Sequence, residues 1–280
     1  MKNGDKVGIV CCSNGQAKAN KGRLQKLHDT LMEIGLVPVW SEFIYEKEGV
    51  FSGTGAERAK ALMDFYKRDD IKAIFDISGG DIANEVLPYL DFSVIAEAKK
   101  QFWGYSDLTT ILNAIYTKTG QNGVLYQVRN LIYDDALIQV QHFTESVMEQ
   151  GAGLFDFKYE FVQGTSMHGI VIGGNIRCLL KLAGTEFFPD MTGKILLLEA
   201  YGGEMPQMIT YINQLKLMGV FEQVSGILLG TFTKLEAAEQ KNAMIEYIKG
   251  CVGIKLPIAV TREIGHGTDS KAIIIGKNFK

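Results

Sequence analysis

Lys100-Gln101-Phe102-Trp103-Gly104-Tyr105-Ser106-Asp107-Leu108-Thr109 decides how this chain folds: an apolar strand enters a tight glycine-containing turn and passes straight into a helical pattern. Ser106 stands at the crest of that turn. A serine between a buried strand and the start of a helix points its hydroxyl out of the sheet, near backbone N–H groups that have no partner within the helix. Such a setting presents a nucleophile. The hydrolase elbow Gly-x-Ser-x-Gly uses the same strand-turn-helix logic, but Gly104-Tyr105-Ser106-Asp107-Leu108 lacks the second glycine. Read on their own, the residues also fit a plain helix cap by Ser106 or Asp107.

Towards the N-terminus the pattern alternates. Strands are expected at 6–10, 37–40, 71–77 and 101–104, and helices at 23–34, 56–66, 83–87 and 92–98. Parallel strands need crossover connections and are buried on both faces, so the chain reads as α/β, with an N-terminal doubly wound, Rossmann-like parallel sheet. Ligands of such sheets bind beyond the carboxyl ends of the strands, where both Ser106 and Ser78-Gly79-Gly80-Asp81 fall. The glycine pair suits either a close backbone approach or an ordinary tight turn. No Gly-x-Gly-x-x-Gly follows the first strand, which argues against a nicotinamide enzyme.

Towards the C-terminus, a helix over 134–150 ends at Gly151-Ala152-Gly153, and the domain boundary is placed there: 1–150 bears the nucleophile, and 151–280 forms a smaller, partly barrel-like α/β domain. Its strands are expected at 155–161, 167–173, 195–198, 224–229, 256–260 and 272–275, and its helices at 176–182, 206–218 and 235–248. With 280 residues, 46% of them hydrophobic, the chain can bury a substantial core. A formal charge of -3 without any basic block excludes an electrostatic footprint for nucleic acid or an anionic membrane surface, and points to a small or peptide-like partner. Cys11, Cys12, Cys178 and Cys251 have neither metal-ligand spacing nor the density of a disulfide scaffold, so most of them read as small core residues in a reducing compartment, with no metal implied. The start, Met1-Lys2-Asn3-Gly4-Asp5, leads directly into a strand, and a cytoplasmic location is expected.

A nucleophilic serine needs a base, and the base needs an orienting group. Of the four histidines, His28 and His142 read as surface residues of helices, and His168 as a hydrogen-bonded, partly buried strand residue. His266 differs, standing between glycines in Ile264-Gly265-His266-Gly267-Thr268-Asp269, as either an exposed imidazole poised for chemistry or a surface turn residue. For the acid, Glu199 ends the apolar run Ile195-Leu196-Leu197-Leu198, where desolvation demands a partner such as an imidazole N–H, unless it pairs with a lysine or arginine or points to water.

Taken together, Gly79-Gly80-Asp81 with Asn84, Leu87-Pro88-Tyr89-Leu90-Asp91, Gly104-Tyr105-Ser106-Asp107, Gly174-Asn175 with Leu179, Leu182, Gly184 and Thr185, Leu197-Leu198-Glu199 and Gly265-His266-Gly267 resemble, in order, the LD-carboxypeptidase family of muramoyl-tetrapeptide carboxypeptidases and microcin C immunity proteins. The resemblance implies a serine peptidase without a cofactor, with Ser106 as nucleophile, His266 as general base and Glu199 as its orienter. It implies an oxyanion hole from the N–H groups of Gly80 and Asp107. A murein tetrapeptide losing its terminal D-alanine is the implied substrate, a peptidyl-nucleotide the alternative, and a homodimer the implied assembly. Gly79, Asp81, Tyr201 and Arg129 are the expected substrate contacts, with Arg262 a second candidate for the substrate carboxylate and Trp103, like Tyr201, for base stacking. Where many carboxypeptidases carry an arginine before the glycine pair and His-Gly-Pro in the strand after the nucleophile, this chain has Ser78 and Tyr126-Gln127-Val128, and its Ser78-Gly79-Gly80-Asp81 form is closer to the immunity branch.

Overall fold

The structure is a computed structural model that describes residues 1–279. Lys6–Val10 (β1) and Ile71–Asp76 (β3) bury side chains on both faces, as a strand covered from two sides must. Around them β2 (Val37–Trp40), β4 (Gln101–Gly104) and β5 (Gly123–Leu125) complete a parallel set. A second set holds β6 (Glu160–Gln163), β7 (Val171–Asn175), β8 (Ile195–Ala200), β9 (Gly226–Phe232) and β10 (Ile258–Val260). The last strand, β11 (Ile273–Ile275), returns to the first sheet and pairs antiparallel with β5.

The sheet orders are β11-β5-β4-β3-β1-β2 and β6-β10-β9-β8-β7. In the first, the order reverses between β1 and β3, the switch point of a doubly wound sheet. The α/β class expected from the sequence is therefore found. The partly barrel-like character is not: the second sheet is open among the described residues, and its edge strand β6 runs antiparallel to β10 instead of closing onto β7.

Helices cover these sheets: α1 (Lys21–Ile34), α2 (Gly55–Lys67), α3 (Phe92–Ala98), α4 (Thr109–Thr119), α5 (Ala136–Met148), α6 (Ile176–Leu180), α7 (Met205–Leu217), α8 (Thr233–Ala237) and α9 (Lys241–Val252). Leu24, Leu27 and Leu31 make the buried stripe of α1, which Gly35 ends in the left-handed conformation at φ 99°. Thr54 and Glu57 close a capping box on α2. The helix expected over 235–248 is instead two, because Glu239 adopts φ 57° and breaks it. The strand expected at 155–161 begins only at Glu160, and that at 167–173 only at Val171. His168 is consequently exposed in a loop and not partly buried in a strand.

Helix α4 joins the halves. Its Asn113 amide donates to the Gly173 carbonyl at 2.9 Å and accepts from the Gly173 N–H at 2.8 Å, while Thr109 Oγ1 accepts from the Asn175 N–H at 3.0 Å. A buried amide exchanging two bonds with a strand backbone specifies one register between helix and sheet. Arg58 performs a related task at the rim. Its buried guanidinium donates to the carbonyls of Cys12, Ser13, Gly53 and Ile82 and pairs with Glu85, whose side chain is half exposed. Removal of Arg58 strands several buried carbonyls, so Arg58→Ala is expected to lower unfolding free energy by about 3 kcal/mol or more. Glu85→Ala, made at an exposed site, is expected to cost about 1 kcal/mol or less. Urea denaturation of the two variants checks the difference; equal losses would contradict it.

Candidate active site

The carboxyl ends of the two parallel sets converge on one cleft. On the first side, β4 ends at Gly104 and Ser106 takes φ 54°, a left-handed conformation that few serines adopt and that costs on the order of 1 kcal/mol. The turn is held by the Leu108 N–H donating to the Tyr105 carbonyl at 3.0 Å and Thr110 Oγ1 to the Asp107 carbonyl at 2.6 Å. On the second side, every residue of β8 is buried, and its register with β9 shifts between Leu198 and Ala200. A bulge of this kind re-aims the intervening side chain, here Glu199.

His266 follows β10 in a loop whose shape depends on glycine. Gly265 has φ 148°, and a Cβ there would lie 1.9 Å from Thr231 Oγ1. The loop is pinned to the first half of the chain: Asn130 Nδ2 donates to the Gly267 carbonyl at 3.3 Å, Thr268 Oγ1 to Asp135 Oδ2 at 2.5 Å, and Gln139 Nε2 to the Ser270 carbonyl at 3.1 Å. His266 Nδ1 thereby lies 2.5 Å from Glu199 Oε2, and His266 Nε2 lies 3.2 Å from Ser106 Oγ. An ionised carboxylate only accepts, so Nδ1 carries the proton in this pair and Nε2 offers its lone pair to the hydroxyl. The ring centroids of Tyr105 and Tyr201 stand 4.4 Å and 5.2 Å from that of His266. Burial pushes the Tyr105 phenol well above its ordinary range, so it stays protonated beside the imidazole.

The cleft has a volume of about 630 Å3, and Gly79, Gly80, Asp81, Ser106, Arg129, Tyr201 and His266 all line it. Gly80 has φ 125° and lies so close to Asn14 that a Cβ would come within 2.2 Å of its side chain. The N–H groups of Gly80 and Asp107 donate to no acceptor among the described residues. Arg129 is held by two amide oxygens, Gln16 Oε1 at 3.2 Å and Gln127 Oε1 at 3.3 Å, and by no carboxylate among the described residues. Two expectations fail here. Trp103 is 2% exposed, packed edge-on against Phe75 and Tyr126 in the core, because its strand is covered on both faces. Arg262 lines a different groove with Lys158 and Glu263. Among the described residues no group of three or more histidine, cysteine, aspartate or glutamate side chains is placed to hold a metal ion.

Reading the sequence missed what holds the rim. The Asp107 carboxylate is completely buried and accepts from Ser13 Oγ at 2.6 Å, the Ala83 N–H at 2.8 Å and Lys181 Nζ at 2.5 Å. Lys181 also donates to the Asp81 carbonyl at 2.8 Å, and Arg177 both pairs with Asp81 and donates to the Gly80 carbonyl at 3.1 Å. Two cations that follow β7 thus tie down the glycine loop after β3 and the residue after Ser106. A lone lysine inside Leu179-Leu180-Lys181-Leu182 was the available signal, since a cation in an apolar run needs a partner.

The family models match along most of the chain: LD-carboxypeptidase N-terminal domain over residues 7–127 and LD-carboxypeptidase C-terminal domain over 168–280. A probable murein peptide carboxypeptidase of Bacillus subtilis (strain 168) is 29% identical over 99% of this chain and 88% of its own length. The microcin C7 self-immunity protein MccF of Escherichia coli is 26% identical over 91% of this chain and 84% of its own. A solved structure of MccF in complex with glutamyl sulfamoyl guanosine superposes with a TM-score of 0.87 at 23% identity, covering 99% of this chain and 93% of that one, a likeness of fold.

The rim network generates an expectation of its own. Lys181→Met leaves the buried Asp107 carboxylate without its cation and is expected to destabilise the protein by about 3 kcal/mol, whereas Lys181→Arg, which keeps the charge, is expected to retain most of the stability. Thermal and urea unfolding check this, and a Met variant as stable as the Arg variant would contradict it.

Proposed function

The chain belongs to the LD-carboxypeptidase family of serine peptidases, and on that premise we propose that it hydrolyses an L,D-peptide bond in murein tetrapeptides, releasing the terminal D-alanine through Ser106, His266 and Glu199. The observation that carries the reading is the single line from Glu199 Oε2 to His266 Nδ1 at 2.5 Å and from His266 Nε2 to Ser106 Oγ at 3.2 Å. His266 takes the Ser106 proton through Nε2 as Oγ attacks the scissile carbonyl, and Glu199 holds the imidazole in the required tautomer and balances the imidazolium that forms. The rings of Tyr105 and Tyr201 pack beside that imidazole, with centroids 4.4 Å and 5.2 Å from its own. The oxyanion is received by the N–H groups of Gly80 and Asp107, which have no other acceptor to satisfy. His266 then returns its proton to the leaving amine of D-alanine. Water, activated by the same imidazole, cleaves the acyl-enzyme.

A carboxypeptidase must also recognise a free carboxylate. Arg129 faces the cleft with its charge unmatched by any carboxylate and is the proposed partner, while Arg177 is already committed to Asp81. A second reading, hydrolysis of an aminoacyl- or peptidyl-nucleotide, is favoured by one observation: Tyr201, 63% exposed on the cleft wall, offers an open aromatic face to a base.

Two measurements test the proposal. Ser106→Ala is expected to lower kcat by about ten-thousandfold or more on an L,D-linked tetrapeptide, with D-alanine release as the readout, and turnover near wild type would overturn it. Run beside it, an aminoacyl sulfamoyl adenosine distinguishes the two substrate classes: preferential cleavage of the nucleotide would move the assignment to the second reading. Arg129→Leu is expected to raise KM for the tetrapeptide by about tenfold or more with a smaller change in kcat, and an unaltered KM would remove Arg129 from carboxylate recognition.

A further inference from the structure

Glu199 uses only one of its two oxygens on His266. The other, Oε1, is buried and meets no hydrogen-bond donor among the described residues, although the residue is only 1% exposed. Ser270, 3% exposed, has a buried hydroxyl that likewise has no partner among the described residues. Both residues line the same small cavity of about 10 Å3, which His266 does not line. Gly265 lines it too, and its N–H donates to no acceptor among the described residues. Leaving a carboxylate oxygen desolvated and unpaired is costly, and buried polar groups left without protein partners are characteristically bridged by internal water. The cavity's volume is about what one water needs, at roughly 10–15 Å3, and its polar groups meet the requirement of two to four partners.

We propose that this cavity is the binding site of one internal water, which accepts from Ser270 Oγ and donates to Glu199 Oε1. The site rests on the reading of Glu199 as the group that orients His266, and it extends that reading. With a donor on each oxygen, the imidazole on Oε2 and the water on Oε1, the carboxylate is held against rotation away from the ring. Ser270 is then a positioning residue, acting on the reaction through water and Glu199. Its backbone is fixed independently, since the Ser270 N–H donates to the Gly267 carbonyl and its own carbonyl accepts from Gln139, so a side-chain change leaves the loop's ties in place.

A crystal structure of the unmodified protein is expected to show ordered water within about 3 Å of both Glu199 Oε1 and Ser270 Oγ. Ser270→Val fills the cavity and is expected to lower kcat about tenfold while KM changes by less than about twofold; Ser270→Ala, which leaves the water its place, is expected to lose less. A cavity without water density overturns the site, and water density together with an unchanged kcat in Ser270→Val overturns its role. The density is read whether or not the valine variant folds. Failure of the triad reading is separable, because it shows as turnover retained by Ser106→Ala.

Discussion

Two sheets, each parallel but for one antiparallel edge strand, face each other with the carboxyl ends of their parallel strands, and the buried Asp107 carboxylate is where they are fastened together. Its three donors come from different parts of the chain: Ser13 after β1, Ala83 after β3 and Lys181 after β7. A buried carboxylate is tolerable only with such a set, and once the set is complete none of the three loops can move without exposing the others' unmet polar groups. The residue before Asp107 is Ser106, so the constraint that joins the sheets also fixes the proposed nucleophile and the N–H beside it. Lys181 and Arg177 extend the same hold to the Gly80 and Asp81 carbonyls across the cleft.

The chemistry follows from this division of labour. The first sheet contributes a hydroxyl raised at φ 54° and two unengaged N–H groups, and the second contributes the carboxylate and, beyond β10, the imidazole. Neither half holds a complete line. Because the His266 loop is tied to Asn130, Asp135 and Gln139 of the first half, the imidazole is positioned by both sheets at once. For the proposed reaction, such preorganisation would supply transition-state stabilisation without reorganisation at the moment of reaction.

Much of this was legible in the sequence, for physical reasons that can be named. Strands buried on both faces write themselves as continuous apolar runs, and glycines with positive φ, such as Gly80 and Gly265, mark the places where backbone comes close to other groups. A serine after an apolar strand, a glutamate ending another and a histidine between glycines were accordingly visible, and the structure brings Ser106, Glu199 and His266 within hydrogen-bond reach of one another. The network under them was not visible. Which of the lysines meets Asp107 is decided by tertiary packing over a separation of 74 residues, and no local periodicity encodes it. Nor did Ala237-Ala238-Glu239-Gln240 announce a helix break, since none of those residues forbids helix and the interruption at Glu239 is a matter of context. Trp103 misled because an aromatic next to a catalytic turn is equally suited to a binding wall and to the core, and only the sheet's coverage decides between them.

The claim at the centre is that one hydroxyl, Ser106, is activated by one imidazole, His266. Reaction with a fluorophosphonate, followed by peptide mass spectrometry to locate the adduct, measures that activation without presupposing a substrate. The account predicts a single adduct on Ser106 in the unmodified protein and its loss in His266→Ala. An adduct on another residue, or labelling of Ser106 at an undiminished rate without His266, would contradict it.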